Sequence, residues 1–370
     1  MTQLPIKATP DMTTGRTHLL DMSRSDLAQW FEDRREKRFR AKQIMEWIYR
    51  KGARDFSDMT NLSKDLRATL AGSFDLFKSR IARRQASTDG TVKLLLQWPD
   101  DATSECVMIP AETRRTACIS SQVGCPVGCK FCASGVGGGQ RNLSPGEIVE
   151  QVLRVRTEAM ATQPMDAEKG PVRLSNVVFM GLGEPLLNYD NMMRAVGVIN
   201  AQWGMIIGAR KITISTVGLP KQIRRLADEG LQLNLALSLH APTDALRREL
   251  IPWAEKIPLS DLVEACTYYF DNTGREVTLE YILLDHVNDR QTHAKQLARL
   301  CKQMRCNVNL IRYNTVEGLP YKRPSSEATH AFQENLRDNG VNAHVRTSRG
   351  LDIDAACGQL RRREAMDTPS

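Results

Sequence analysis

The chain has 370 residues, 41% hydrophobic and 25% charged, with 51 Lys and Arg against 43 Asp and Glu for a formal charge of +8. That is globular composition, long enough for one large domain and a smaller one. No stretch approaches the roughly 18 apolar residues of a membrane helix. Residues 1–14 are polar and proline-bearing, without the apolar core of a secretory signal, so a cytoplasmic protein with no membrane partner is expected. In a reducing compartment the nine cysteines read as packing residues, metal ligands or catalytic thiols rather than a disulfide framework. The positive charge is clustered: Arg34, Arg35, Lys37, Arg38, Arg40 and Lys42, then residues 50–54, 80–84 and 361–363. Such clusters suit a polyanionic partner.

Residues 23–74 have helical spacing. Leu27, Trp30 and Phe31 make one apolar stripe, Ile44, Trp47 and Ile48 a second, Leu62 and Leu66 a third, and Ser25 with Asp26 supplies the first cap. A helical N-terminal domain with basic outer faces is expected over 1–78. A β-hairpin extension over 79–112 follows, with strands at 81–85 and 91–98 around Asp89-Gly90 and a third short strand at 106–109. From Thr116 onward strand patterns (117–120, 176–180, 211–215, 233–239, 277–283, 308–312, 342–345) alternate with helical ones (145–157, 191–203, 220–228, 259–270, 291–304, 326–338). Gly230, Gly274 and Gly340 stand where helices stop. Repeated βα units predict an α/β core over 113–350, its parallel sheet doubly wound or closed into a barrel, followed by a C-terminal segment over 351–370.

Cys125-Pro-Val-Gly-Cys129-Lys-Phe-Cys132 is the strongest signal in the chain. Three thiolates share one loop ahead of the glycine-rich stretch 135–139, and no second cysteine pair or nearby histidine closes a four-ligand zinc site. Thiolate ligation favours an iron–sulfur cluster, and three ligands on a 4Fe–4S cubane leave one iron open. S-adenosyl-L-methionine (SAM) can chelate that iron through its amino and carboxylate groups, beside a low-potential electron source.

Gly181-Leu-Gly-Glu-Pro follows the strand ending at Met180, where the chemistry of βα barrels sits. Gly183 lets the backbone approach a ligand, and Glu184 can accept from an ammonium. Ser215, Ser238 with His240, and Asn314 occupy the same ends of later strands; four strand ends on one rim argue for a shared ligand.

The run 120–134 around the cluster motif, Arg141-Asn-Leu-Ser-Pro-Gly-Glu-Ile-Val-Glu-Gln-Val, Val178-Phe-Met-Gly-Leu-Gly-Glu-Pro-Leu-Leu-Asn and Ser238-Leu-His-Ala-Pro-Thr-Asp-Ala-Leu-Arg-Arg-Glu together resemble the RlmN/Cfr family of radical SAM enzymes, from about residue 23 to residue 361. The resemblance implies a partial (βα)6-type radical SAM barrel. It implies SAM contacts from Gly183, Glu184, Ser215, Ser238, Leu239, His240 and Asn314, and cluster ligation by Cys125, Cys129 and Cys132. It further implies methylation of adenosine C2 in the peptidyl-transferase centre of 23S rRNA and next to the anticodon (position 37) of certain tRNAs. Adenine C2 is non-nucleophilic, so the implied route is radical: Cys357 takes a methyl group from one SAM, a second SAM activates that S-methyl group, and the resulting carbon adds to the base. Cys118 then resolves the adduct through a transient disulfide, and Glu105 accepts the C2 proton. The helical domain would dock the RNA, a flavodoxin- or ferredoxin-type donor would supply electrons, and a monomer is expected. Two rivals share the signals: a Cfr-like C8 methyltransferase, and a non-catalytic metal-bearing RNA-binding protein, which would need neither Cys357 nor Cys118. Cys106, Cys266, Cys301 and Cys306 read as packing residues, with Cys301 and Cys306 on one helix pointing to different sides.

Overall fold

The computed structural model describes residues 15–161 and 173–361, so the start at 1–14 and the basic Arg362 and Arg363 lie outside the described residues. The N-terminal module has three helices, α1 (Arg24–Glu32), α2 (Phe39–Glu46) and α3 (Lys64–Ser73). The cap of α1 is Ser23 rather than Ser25: its hydroxyl accepts from Asp26 N at 3.1 Å while Asp26 accepts from Ser23 N at 3.3 Å. Helix α2 runs into a π turn, Trp47–Lys51, ended by Gly52 at φ +74°. Leu27, Phe31, Ile44, Ile48, Leu66 and Leu70 are buried. Trp30 and Trp47 stay half-exposed, each under a cation, Arg34 and Lys51, both at 4.0 Å.

Ten strands among the described residues form one sheet: β1 (Arg80–Ala86), β2 (Val92–Gln97), β3 (Thr103–Pro110), β4 (Arg115–Cys118), β5 (Leu174–Phe179), β6 (Ile212–Thr216), β7 (Asn234–Ser238), β8 (Val277–Leu283), β9 (Cys306–Arg312) and β10 (Ala343–Arg346). Spatial order is chain order. Strands β1 to β4 pair antiparallel and β4 to β10 pair parallel, so the hairpin and the eight-residue third strand continue the core sheet. The parallel strands are crossed by α4 (Pro145–Ala161), α5 (Tyr189–Asn200), α6 (Pro220–Asp228), α7 (Asp244–Leu250), α8 (Leu259–Thr273), α9 (Gln291–Cys301) and α10 (Ser326–Asp338). Helix α7 escapes the sequence reading because its seven residues carry little periodicity; Thr243 caps it, accepting from Leu246 N.

The sheet curls. One cavity touches Thr116 of β4, Asn176 of β5, Thr213 of β6, Ala236 of β7, Thr278 of β8, Asn309 of β9 and Arg346 of β10, which a flat sheet could not bring together. Strand alternation sorts the faces: on β8, Thr278, Glu280 and Ile282 line cavities, whereas Leu279, Tyr281 and Leu283 are fully buried in the core, Tyr281 stacking on Phe332 of α10 at 5.5 Å. The fold is therefore the partial α/β barrel expected. Cys301 and Cys306 correct an expectation. Cys301 ends α9 and Cys306 begins β9, and the Cys306 thiol lies 3.7 Å from the Cys301 carbonyl, so the two meet across a tight turn instead of diverging on a helix.

Candidate active site

The cysteine loop hangs from a small antiparallel ribbon, Gln122–Gly124 against Gly139–Asn142. Gly124 takes φ +71° and a Cβ there would strike the Gly138 carbonyl, so the ribbon needs glycine at this position. Cys125 N donates to that carbonyl at 3.2 Å, and Val127 and Phe131 anchor the loop in an apolar cluster with Ile251 and Tyr313. Burial drives all three thiols up, Cys125 to about 12, while backbone N–H groups of Val127 and Gly183 aim at Cys125 and those of Ser134 and Gly135 at Cys132. Buried sulfur ligated to a cation and supported by amides suits that donor set better than free thiols do. Among the described residues no three Cys, His, Asp or Glu gather to hold a single metal ion. A cubane, which offers each thiolate a different iron, asks for no such convergence.

A cavity of about 160 Å³ opens beneath this loop, lined by the three cysteines and by Gly183, Glu184, Ser215, Ser238 and His240. Gly183 sits at φ +100°, and a Cβ would lie 2.6 Å from Gln122 Cβ, so the close approach of these segments excludes a side chain. Glu184 is 3% exposed. Its Oε1 accepts from Leu186 N at 3.0 Å and its Oε2 from Val217 N at 2.7 Å. Burial lifts its carboxyl to about 7 against these donors, so a bound ammonium would favour the ionised form. Ser215 and Ser238 face each other with hydroxyls 3.5 Å apart. His240, buried and held near pKa 3 by burial and Arg247, is neutral; its Nδ1 accepts from Ile282 N at 3.1 Å, leaving the Nε2–H as donor. The Leu239 side chain lies in the core rather than on the cavity.

The second cavity, about 650 Å³, holds Cys118 and Asn314. Cys357 borders both cavities. Cys118 ends β4, 5% exposed, its thiol pushed up to about 12 by burial. Cys357 rides on a strap, residues 350–361, tied down bond by bond. Asn314 Nδ2 donates to Cys357 O at 3.0 Å, Ala133 N to Gly358 O at 2.8 Å, Ser134 Oγ to Leu360 O at 2.7 Å, and Gln359 Nε2 to Thr315 O at 3.0 Å. Asn314 is thereby engaged with the strap and with Ser348, whose hydroxyl donates to it at 2.7 Å. Glu105 borders neither cavity; it lies under the strap, 1% exposed, with Oε1 3.3 Å from Lys93 Nζ and Oε2 accepting from Arg361 N at 3.0 Å. Lys93 in turn donates to Asp354 O at 3.0 Å. The structure thus gathers the cluster cysteines, Gly183, Glu184, Ser215, Ser238 and His240 on one cavity and Cys118, Cys357 and Asn314 on the next. Sequence reasoning missed Met180, Glu280 and Arg346, which border both. A lone charged residue at an inward position of an otherwise apolar strand, as at Glu280, was the available signal. Arg346 is driven up by the neighbouring Cys357, Glu280 and Cys118.

Comparisons with known proteins agree with this geometry. Residues 17–75 match the model of the ribosomal RNA large subunit methyltransferase N-terminal domain, and residues 119–297 match the radical SAM superfamily. A protein of Thermosynechococcus vestitus called "Probable dual-specificity RNA methyltransferase RlmN" is 46% identical, covering 94% of this chain and 99% of its own. Relatives of the same name from Rhodopirellula baltica (44% identical, 98% of this chain and 96% of its own) and Bacillus thuringiensis subsp. konkukian (42%, 98% of each) are similar to it as well. The crystal structure of a radical SAM methyltransferase from Sphaerobacter thermophilus superposes with a TM-score of 0.88 at 44% identity, over 93% of this chain and 98% of that one. A cluster loop, a glutamate-rimmed cavity and a thiol strap on one curled sheet, matched over nearly the whole chain, make this protein a radical SAM RNA methyltransferase that belongs to the RlmN family.

Proposed function

We propose that the enzyme methylates C2 of an adenosine in the peptidyl-transferase centre of 23S rRNA and of the adenosine next to the anticodon in certain tRNAs, with Cys357 as methyl carrier. One observation carries the reading: Cys357 borders both the cavity under the cluster loop and the cavity holding Cys118, so one thiol can address both. Cys125, Cys129 and Cys132 would hold a 4Fe–4S cluster, and Gly183, Glu184, Ser215, Ser238, the 238–240 backbone and His240 would hold SAM, with Asn314, which borders the second cavity and bonds the Cys357 carbonyl, acting on it through the strap. When bound, that pair supplies the methyl group and the one-electron cleavage that starts radical chemistry.

The remaining roles fall to side chains of this chain. The neutral His240 offers a donor without adding charge. Cys357 carries the methyl group into the second cavity, where the base arrives. Cys118, at the end of β4, loses its proton and attacks the Cys357 sulfur; the bond from that sulfur to the methylene carbon breaks, the carbon keeps the electron pair and takes a proton to become the methyl group, and a Cys118–Cys357 disulfide is left. Glu105 would take the proton lost from C2; it borders neither cavity here, so the strap bond from Arg361 N to its Oε2 would have to open first. The second cavity, bordered by Arg114, Arg346 and Arg349, suits an extruded nucleotide, and the exposed Arg34, Arg35, Lys37 and Arg38 between α1 and α2 suit its phosphates. A flavodoxin- or ferredoxin-type donor would reduce the cluster, and the enzyme would work in the cytoplasm as a monomer; no helix among the described residues is long and apolar enough to cross a membrane.

Nucleoside mass spectrometry of defined 23S rRNA and tRNA fragments tests the proposal. Wild type forms 2-methyladenosine, Cys357→Ala forms none, and Cys118→Ala traps a covalent protein–RNA adduct. Formation of 8-methyladenosine would overturn the C2 assignment.

A further inference from the structure

Glu280 lies midway along β8, 4% exposed, where strand alternation aims its side chain inward. Its Oε1 accepts from Asn309 Nδ2 at 3.2 Å. Its Oε2 is buried with no hydrogen-bond partner. Burial raises its carboxyl, while the neighbouring Arg346 charge and the Asn309 amide favour the ionised form; a carboxylate oxygen with no protein donor in a barrel wall calls for an explanation.

The location supplies one. Six residues border both cavities: Met180, Glu280, Ile311, Arg346, Cys357 and Leu360. Three of them are apolar and one is the thiol proposed to meet the substrate carbon. Glu280 therefore supplies the acceptor atom, and Arg346 the donor atoms, at the threshold where a base must stop to reach Cys357. Adenine presents an exocyclic amino group, a donor, at the position where guanine presents a carbonyl. A fixed carboxylate oxygen attracts the first and repels the second.

We infer that Glu280 Oε2 accepts from the exocyclic amino group of the adenine to be methylated, so that Glu280, steadied by Asn309, selects the base and holds it against Cys357. This rests on the adenosine-methylating reading above and names the group that reads its substrate. Glu280 makes no bond in the reaction; it positions the base.

The test compares two RNAs, one with adenosine at the target and one with purine riboside, which lacks the amino group, in single-turnover methylation. Wild type should prefer adenosine on the order of 10- to 100-fold in kcat/KM, the value of one well-placed base contact. Glu280→Met should erase that preference, and Glu280→Gln, whose amide keeps an acceptor oxygen, should retain most of it. Equal use of both RNAs by wild type would overturn the inference without any variant. So would a Glu280→Met enzyme that slows both RNAs alike and keeps the preference, because Glu280 would then serve the cofactor or the fold. If wild type modifies neither RNA, the adenosine reading itself has failed and this inference goes with it.

Discussion

The N-terminal module and the C-terminal strap are attached to the barrel in opposite ways. The N-terminal module shares one apolar core with the sheet, Leu19, Phe31 and Phe74 belonging to the same cluster as Val152 and Ile148 of α4. One set of its polar contacts is deeply buried: His18, 3% exposed, lies 3.3 Å from Glu150, which also accepts from Lys78 N, Ser79 N and the Ser79 hydroxyl; Arg156, half-buried, caps the carbonyls of Ile48 and Tyr49. The strap at 350–361 has only a small apolar patch, Ala355 and Leu360 against Val107, Cys118 and Leu182, and otherwise hangs on single hydrogen bonds. A docked module needs only to stay, and area does that without direction. A segment presenting one sulfur to two cavities needs its backbone placed, which directional bonds do better.

The contrast breaks first at Lys93. Its ammonium and the Glu105 carboxylate are each 2% exposed, so Lys93→Met leaves a buried charge uncompensated, at a cost of about 3–5 kcal/mol. Thermal unfolding should show that loss, and Lys93→Met with Glu105→Gln should recover much of it. A small effect would mean the strap does not depend on this pair. Gly350→Ala is milder. The residue is at φ +66°, and a Cβ would lie 2.8 Å from Ala355 Cβ and 2.9 Å from Thr91 Cγ2. Left-handed backbone alone costs about 1–2 kcal/mol for a residue with a Cβ, and the clash falls on the strap itself, so RNA methylation should drop more than the melting temperature does.

How much of this was legible follows the same divide. Apolar periodicity exposes elements that bury area, so every parallel strand and every crossover helix but α7 shows in the sequence. The cysteine loop shows through spacing alone, and the rim residues show because each ends a strand. The strap does not show. Its residues 354–358 are small or acidic and lack any period, and their partners, Lys93, Glu105, Asn314 and Ser134, lie scattered over more than half the chain. Nor does Lys93, a buried lysine that the sequence places next to the apolar run Leu94–Leu96 with nothing to mark it as internal. Ser23 was missed for a nearer reason: Ser25 offers the same side chain two residues later, and only the backbone decides which one caps.

Asn314 sharpens the comparison at lower cost. Asn314→Ala removes one amide bond to the Cys357 carbonyl and one from Ser348, about 1 kcal/mol for a typical bond. The melting temperature should barely move, whereas S-methylation of Cys357, read by mass spectrometry of the protein, should slow. An unchanged methylation rate would show that the strap finds its place without this bond.

The smallest effect is a pH dependence at the other attachment. Burial works against charge on His18, but the adjacent Glu150 carboxylate, with Asp21 and Glu147, outweighs it and raises its pKa above the ordinary 6.5. A raised histidine stabilises the fold fully below 6.5 and loses that contribution as pH climbs through the folded value. Glu150 works in the other direction. Burial opposes its charge, yet His18, Arg154 and Ser79 hold its pKa below the ordinary 4.5, so its contribution is present above 4.5 and disappears as pH falls through the folded value. Both contributions are whole only between 4.5 and 6.5. The stability difference between wild type and His18→Gln should therefore shrink as the buffer moves from about pH 6 to about pH 8. A difference that grows over that interval would mean His18 is neutral in the fold, and the module would then be held by its apolar core with no help from the buried pair.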